Sequence, residues 1–137
     1  MKVGEIRNAF NALSNAKMQT LTDAERVSIV RIRRALRPIA EEYDNFEKDL
    51  IETLKCEGFD EMAAKAQART LKGEDAARWN TIAANYNRAL LAAMKQAQEE
   101  EKDVKCEEHI SEATALKIIA ENEWTAGVMD DLDIIIK

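Results

Sequence analysis

The amino-acid sequence predicts a mainly α protein, built on a long antiparallel helical hairpin within a single domain of residues 1–137. Its 137 residues include only 4 Gly and 1 Pro, too few for the tight turns of a β-sandwich or barrel. Good helix formers such as Ala, Leu, Glu, Lys and Arg dominate. Apolar residues also recur at helical spacing along two long stretches, and those stretches define the predicted hairpin.

The first element is a short amphipathic helix over residues 5–18, with Ile6, Ala9, Phe10 and Leu13 on one face. A Thr22–Glu25 pair then has the spacing of a capping box, in which each side chain binds the other residue's backbone N–H. This pair predicts the start of a second helix.

The second helix is predicted to run from about 22 to 57 and carries the clearest pattern. Its apolar residues alternate spacings of three and four, which requires a partner helix along their length. They are Ile29, Ile32, Leu36, Ile39, Tyr43, Phe46, Leu50 and Thr53. Pro38 interrupts one backbone hydrogen bond, but the pattern keeps its phase, so we expect a kinked and continuous helix that Gly58 ends.

The facing helix of the hairpin is predicted over residues 74–100. Residues 59–73 lack a large apolar face and are either a short helix or a connector that ends at Gly73. The small side chains of the facing helix would allow close approach to the bulkier second helix. Its inward residues are Trp79, Ile82, Tyr86, Ala89, Leu90, Ala93 and Ala97.

The two terminal regions, 1–18 and 102–137, are predicted to form a small α/β cap. Val104, Cys106, Glu108 and Ile110 alternate with polar residues, as in a short strand that pairs with residues 2–3 or 133–136. Ser111 then caps a helix that ends at about Glu121, and Thr125 caps a last turn through Leu132.

No residue pattern points to catalysis, a metal or a cofactor. Cys106 and His109 have a spacing that metal ligands use, but a strand would point them to opposite faces. With Cys56 they are the chain's three sulfur or imidazole ligands, one short of a structural zinc site. Glycine-rich phosphate loops and nucleophile elbows are also missing, so we predict a non-enzymatic protein without cofactors.

Five arginines of the second helix form the candidate binding site: Arg26, Arg31, Arg33, Arg34 and Arg37. Residues 1–40 carry 8 basic and 3 acidic side chains, whereas the remainder carries 12 basic and 23 acidic ones. The favoured interpretation is internal pairing, with Glu41 and with Glu99–Glu101 across the hairpin. The alternative is a surface that binds nucleic-acid phosphates, although no aromatic residues lie between the arginines for base stacking.

The composition also predicts where the protein is found. No apolar run approaches the ~20 residues that span a bilayer, and the first residues do not resemble a signal peptide. Two cysteines are too few for a disulfide framework. We therefore expect a soluble, reduced, cytoplasmic protein with no membrane partner.

The long apolar stripe of the second helix predicts a homodimer. Its candidate interface residues are Leu36, Tyr43, Phe46 and Leu50, or the Trp79 end of the facing helix. The alternative is that residues 59–73 fold back as a third helix, in which case the stripe is ordinary core.

The order of these features resembles a family of small tailed-phage and prophage proteins of unknown function. The resemblance covers about three-quarters of the chain. The matching stretches are Val3 to Leu13, Ile29 to Leu54, Asn80-Thr81-Ile82-Ala83-Ala84-Asn85-Tyr86-Asn87 through Cys106, Ile110-Ser111-Glu112, and Trp124-Thr125-Ala126-Gly127 through Leu132. It implies a viral setting in a host cytoplasm, and it assigns no functional residue. The predicted function is a phage or prophage accessory protein that binds another protein, and the alternative is a small nucleic-acid-binding accessory protein.

Overall fold

A computed structural model describes all residues from 1 to 137. The chain is 72% helical and contains no β-sheet, which confirms the mainly α prediction. Its elements are α1 (Val3–Asn15), α2 (Asp23–Thr53), α3 (Phe59–Gln67), α4 (Glu74–Glu99), α5 (Glu112–Glu121), α6 (Gly127–Leu132) and a 3₁₀ turn (Asp133–Ile135).

The chain divides into two compact units. The first unit comprises Met1–Asp44 and Ala97–Lys137, and the second comprises Asn45–Gln96. Both boundaries fall inside long helices, so α2 and α4 each contribute residues to both units.

The core of the protein lies in the first unit. Side chains from α1, α2, α5, α6 and the 3₁₀ turn form one apolar cluster. Each fully buried aliphatic side chain contributes about 1.5–3 kcal/mol of transfer free energy. The largest fully buried residues are Ile6, Leu13, Ile29, Ile32, Leu36, Ile118 and Leu132.

The predicted capping box begins α2. The backbone N–H of Thr22 donates to a Glu25 carboxylate oxygen at 3.0 Å, and the backbone N–H of Glu25 donates to the Thr22 hydroxyl at 3.2 Å. Glu25 also accepts a hydrogen bond from the Thr114 hydroxyl of α5 at 2.5 Å. The same carboxylate therefore caps α2 and connects it to the first turn of α5.

The end of α5 holds the loop between α1 and α2. The Asn122 amide oxygen accepts from the backbone N–H of Lys17 at 2.7 Å, and its amide nitrogen donates to the Lys17 carbonyl at 2.9 Å. Glu121 accepts from the backbone N–H groups of Gln19 and Thr20. These bonds satisfy loop backbone groups that have no partner in a helix.

The long helix α2 continues through Pro38, as predicted, and ends at Thr53, four residues before the expected end. Phe46, a residue of the predicted stripe and of the predicted dimer interface, is 41% exposed in the single chain. A strict seven-residue repeat drifts by about 20° per heptad on a straight helix. The drift leaves Phe46 outside the covered face, while Ala40 becomes buried.

The helices α2 and α4 contact each other through one tyrosine hydroxyl in each unit. In the first unit, the Gln98 amide donates to the Tyr43 hydroxyl at 2.7 Å. In the second unit, the Tyr86 hydroxyl donates to the Ile51 carbonyl at 3.0 Å.

The second unit consists of the end of α2, the short helix α3 and most of α4. Phe59 of α3 packs its ring against Trp79 and Tyr86 of α4, with ring centroids 5.0 and 4.6 Å apart. Residues 59–67 are thus a helix, one of the two predicted alternatives. No residue from 45 to 96 is buried, although Trp79, Ile82, Tyr86 and Leu90 of α4 are partly covered.

The predicted strand over 104–110 does not form. Burial alternates along this segment as expected, with Val104, Cys106 and Ile110 turned inward. Pairing is limited to two isolated bridges, Lys2 with Glu101 and Ile110 with Ile136. The expected partner strands are too short, because Val3 already begins α1 and residues 133–135 form the 3₁₀ turn.

Candidate interaction surface

Two of the five α2 arginines are paired within the first unit. Arg26 donates to the Asp23 carboxylate at 2.8 Å, and Arg31 donates to Glu108 at 2.9 Å. Hydrogen bonds from Arg31 and then from the Ser28 hydroxyl lower the pKa of Glu108. The internal pairing predicted for this cluster is therefore present at Arg31, with a different carboxylate from those expected.

The other three arginines make no ion pair. Arg33 is half-buried, and its Nε has no hydrogen-bond partner. Arg34 and Arg37 are exposed, and no carboxylate lies within ion-pair distance of either. Their predicted pairing with Glu41 and with Glu99–Glu101 is not formed.

The acidic run at the end of α4 pairs with the start of the chain instead. Glu99 binds the Lys2 ammonium at 2.9 Å, and Glu101 binds the N-terminal ammonium at 3.0 Å. The backbone N–H of Val3 also donates to the Glu100 carbonyl, which fixes this arrangement. The arginines of α2 remain without these partners.

Two valines share the exposed face of α2 with the unpaired arginines. Val27 is 48% exposed and Val30 is 50% exposed. The spacings from Val27 through Val30 and Arg34 to Arg37 are three, four and three, so all four lie along one side of the helix. We refer to these four residues as the Val–Arg strip.

The Val–Arg strip has a rigid base. On the other side of the same turns, Ile29, Ile32 and Leu36 are at most 1% exposed. Close packing of these side chains fixes the helix, so the backbone positions of the strip keep a constant spacing. Rigid presentation lowers the entropic cost of binding.

The chemistry of the strip combines apolar surface with fixed positive charge. Guanidinium groups bind carboxylates or phosphates in a bidentate manner and stay protonated. Half-exposed valines gain free energy when a partner's apolar groups cover them. The complementary surface is therefore both acidic and apolar. Sequence reasoning found the arginines and missed the valines, whose signal was their regular spacing with Arg34 and Arg37.

The predicted helix interface is largely unavailable to a second molecule. Leu36 and Tyr43 are buried in the first unit, where the Arg7 guanidinium lies 5.1 Å from the centre of the Tyr43 ring. Phe46 is exposed, and Leu50 and Trp79 are half-buried. An interface that includes Leu36 and Tyr43 would require the first unit to open.

Cys106 and His109 lie where the alternating pattern placed them. Cys106 packs against the core and donates weakly to the Glu108 carbonyl, whereas His109 is exposed. The structure contains no group of three or more His, Cys, Asp or Glu side chains that could hold a metal ion. An open surface depression adjoins His109 and is lined also by Glu107, Ile110, Ser111 and Lys137.

Comparison with known proteins adds no assignment. No protein-family model matches the chain, and neither a curated protein nor a solved structure matches it significantly. None of its helices combines the length and apolarity that crossing a membrane requires.

Proposed function

We propose that this chain is a non-enzymatic accessory protein that binds another protein through the Val–Arg strip. One observation supports this proposal most strongly. Two arginines without an ion-pair partner and two half-exposed valines lie on the same face of one helix. The order of sequence motifs supports a phage or prophage origin. Genes flanking the coding sequence test that origin, and a neighbourhood without phage genes contradicts it.

The proposed partner presents an amphipathic helix with carboxylates beside its apolar face. Helices dock onto one another through residues spaced three and four apart, which is the spacing of the strip. The partner must also overcome the chain's net charge of −6, so its carboxylates need to lie directly opposite Arg34 and Arg37.

A binding titration with defined probes tests this proposal. The probes are a labelled synthetic peptide helix with leucine and glutamate on one face, and a DNA duplex of similar length. We expect the peptide to bind and the double variant Arg34→Glu/Arg37→Glu to weaken its binding at least tenfold. The control Arg69→Glu/Lys72→Glu changes net charge equally, at two exposed positions of the second unit. Equal losses in the two double variants would contradict a specific site.

Substitution of the two valines distinguishes a protein partner from a nucleic-acid partner. Val27→Ser/Val30→Ser removes apolar surface and leaves every arginine in place. We expect this variant to bind the acidic peptide severalfold more weakly than wild type and to bind DNA with unchanged affinity. A different result would support the nucleic-acid alternative. In that case DNA binds more tightly than the peptide, its binding weakens with salt, and it depends on Arg34 and Arg37 but not on the valines.

A further inference from the structure

The second unit leaves much of its apolar surface uncovered. Phe46 is 41% exposed, and Leu91 of α4 is 65% exposed. The contacting rings of Phe59, Trp79 and Tyr86 are partly covered but not fully buried. Large apolar side chains that stay exposed in one compact unit are candidate contact residues for a partner.

The charges of the second unit favour a second copy of the same chain. Residues 45–96 carry 8 acidic and 8 basic side chains, so two such units do not repel each other through net charge. Their charges are also separated along the chain. Residues 45–61 hold 6 acidic and 2 basic side chains, and residues 76–96 hold 3 basic and no acidic ones. Glu52 and Asp60 of the acidic segment bind Lys55 of their own chain.

The outward side of α4 has the pattern of a helix-packing surface. Ala77, Ala84 and Leu91 recur every seven residues, and all three are exposed. Small side chains at such positions let a second helix approach closely. Arg88 and Lys95 flank Leu91, are exposed, and pair with no carboxylate of their own chain. We refer to these five residues as the outer face of α4.

We infer that a second copy of this chain covers the second unit in a two-fold homodimer. The outer face of α4 in one copy packs against the acidic segment 45–61 of the other, with Leu91 and Phe46 in the contact. Two-fold symmetry repeats this contact, so each acidic segment neutralises one basic helix face. The interface uses no residue of the Val–Arg strip. It differs from the one predicted by the sequence, because Leu36 and Tyr43 are buried within a single chain.

Sedimentation equilibrium of the full chain over a wide concentration range tests the dimer. We expect a mass of about 31 kDa at high concentration, twice the 15.5 kDa of one chain, and dissociation on dilution. A 15.5 kDa species at every concentration would overturn the proposal.

Two exposed leucines provide a matched pair of variants. Leu91→Glu places a charge in the proposed contact, and Leu116→Glu places one on α5 in the first unit, where the leucine is 52% exposed. We expect Leu91→Glu to raise the dimer dissociation constant at least tenfold and Leu116→Glu to leave it unchanged. Circular dichroism checks that both variants keep their helix content. A dimer that is insensitive to Leu91→Glu, or equally sensitive to both changes, would overturn this interface.

A charge exchange tests which surfaces meet. Arg88→Glu/Lys95→Glu and Asp49→Lys/Glu52→Lys should each be mainly monomeric, because each places like charges in both copies of the contact. Mixed together, they should form a heterodimer in which one contact has its charges exchanged and the other is wild type. Two monomeric variants that do not associate on mixing would overturn the acidic-on-basic arrangement.

Discussion

In the first unit, Ile29, Ile32 and Leu36 of α2 are completely covered, whereas farther along the same helix Phe46 is 41% exposed and Leu50 is half-buried. Every buried apolar residue of the chain belongs to the first unit. The apolar pattern of α2 is equally regular in both units. Periodicity therefore determines which face of a helix turns inward, and the neighbouring elements determine how completely that face is covered.

The neighbours differ in number and in size. In the first unit α2 contributes to a core shared with α1, α5, α6 and the 3₁₀ turn, whose side chains are large aliphatic residues. The second unit contains only the nine-residue helix α3 and the alanine-rich α4 beside the end of α2. Alanine side chains shield less surface than leucine or isoleucine. We therefore expect the first unit to provide most of the stability of the protein.

The largest expected effect comes from the same substitution made once in each unit. Ile32 is completely buried, so Ile32→Ala should reduce the free energy of unfolding of the first unit by about 2–5 kcal/mol. Ile82 of α4 is only partly covered. Ile82→Ala should therefore reduce the free energy of unfolding of the second unit by about 1 kcal/mol. Urea unfolding followed by circular dichroism measures both changes. Equal losses would show that the two units are packed equally well.

Acid should weaken the first unit in particular. The Thr114 hydroxyl, and then the Thr22 backbone N–H, lower the pKa of Glu25 from 4.5 to about 2. The carboxylate therefore stabilises the first unit fully above pH 4.5, and this contribution is lost as the pH falls towards 2. Burial raises the pKa of Glu121, but hydrogen bonds from Thr20 and Gln19 outweigh it and leave that pKa lowered as well.

The variant Glu25→Gln isolates this contribution. We expect it to be less stable than wild type at neutral pH and to approach wild type near pH 2, where Glu25 is half-protonated. Glu57→Gln is the control, because Glu57 is exposed and makes no ion pair or hydrogen bond. Unfolding curves measured from pH 2 to 7 give the comparison. A constant difference between Glu25→Gln and wild type over this range would contradict the assignment.

The smallest effect concerns two glycines of the second unit. Gly58 and Gly73 have φ angles of +76° and +60°, with no atom within 4 Å of an added Cβ. Alanine at either position should therefore cost only the left-handed backbone strain, about 1 kcal/mol. Gly127 lies in α6, lacks a positive φ and has room for a Cβ, so the control Gly127→Ala should not destabilise the protein. The midpoint of thermal unfolding measures these effects. Equal midpoints for Gly58→Ala, Gly73→Ala and Gly127→Ala would contradict the role of the left-handed backbone.

Sequence reasoning recovered the helices well and the tertiary surroundings poorly. The capping box at Thr22 and the course of α2 through Pro38 follow from local hydrogen bonding and an unbroken apolar phase. The burial alternation at Val104 and Cys106 was also predicted. The strand itself was not formed, because pairing depends on distant segments whose conformation the local pattern does not determine.

At the candidate site, too, the local sequence pattern did not determine contacts with distant segments. The arginine cluster was visible as a run of like charge, but its pairing was not. Arg31 binds Glu108, which lies 77 residues away along the chain, and Glu99 binds Lys2. Exposed surface ion pairs contribute only about 0–1 kcal/mol, so they follow the fold and do not direct it. Which arginines remain unpaired is therefore decided by tertiary structure.

The most direct test of the difference between the two units uses the two tryptophans, one in each. Trp79 contacts Phe59 in the second unit, and Trp124 packs against the core of the first. Trp124→Phe and Trp79→Phe each leave one reporter, and urea unfolding of both variants is followed by fluorescence in protein dilute enough to be monomeric. We predict that Trp79 reports a transition at lower urea than Trp124. Coincident transitions would show one cooperative structure and contradict the account.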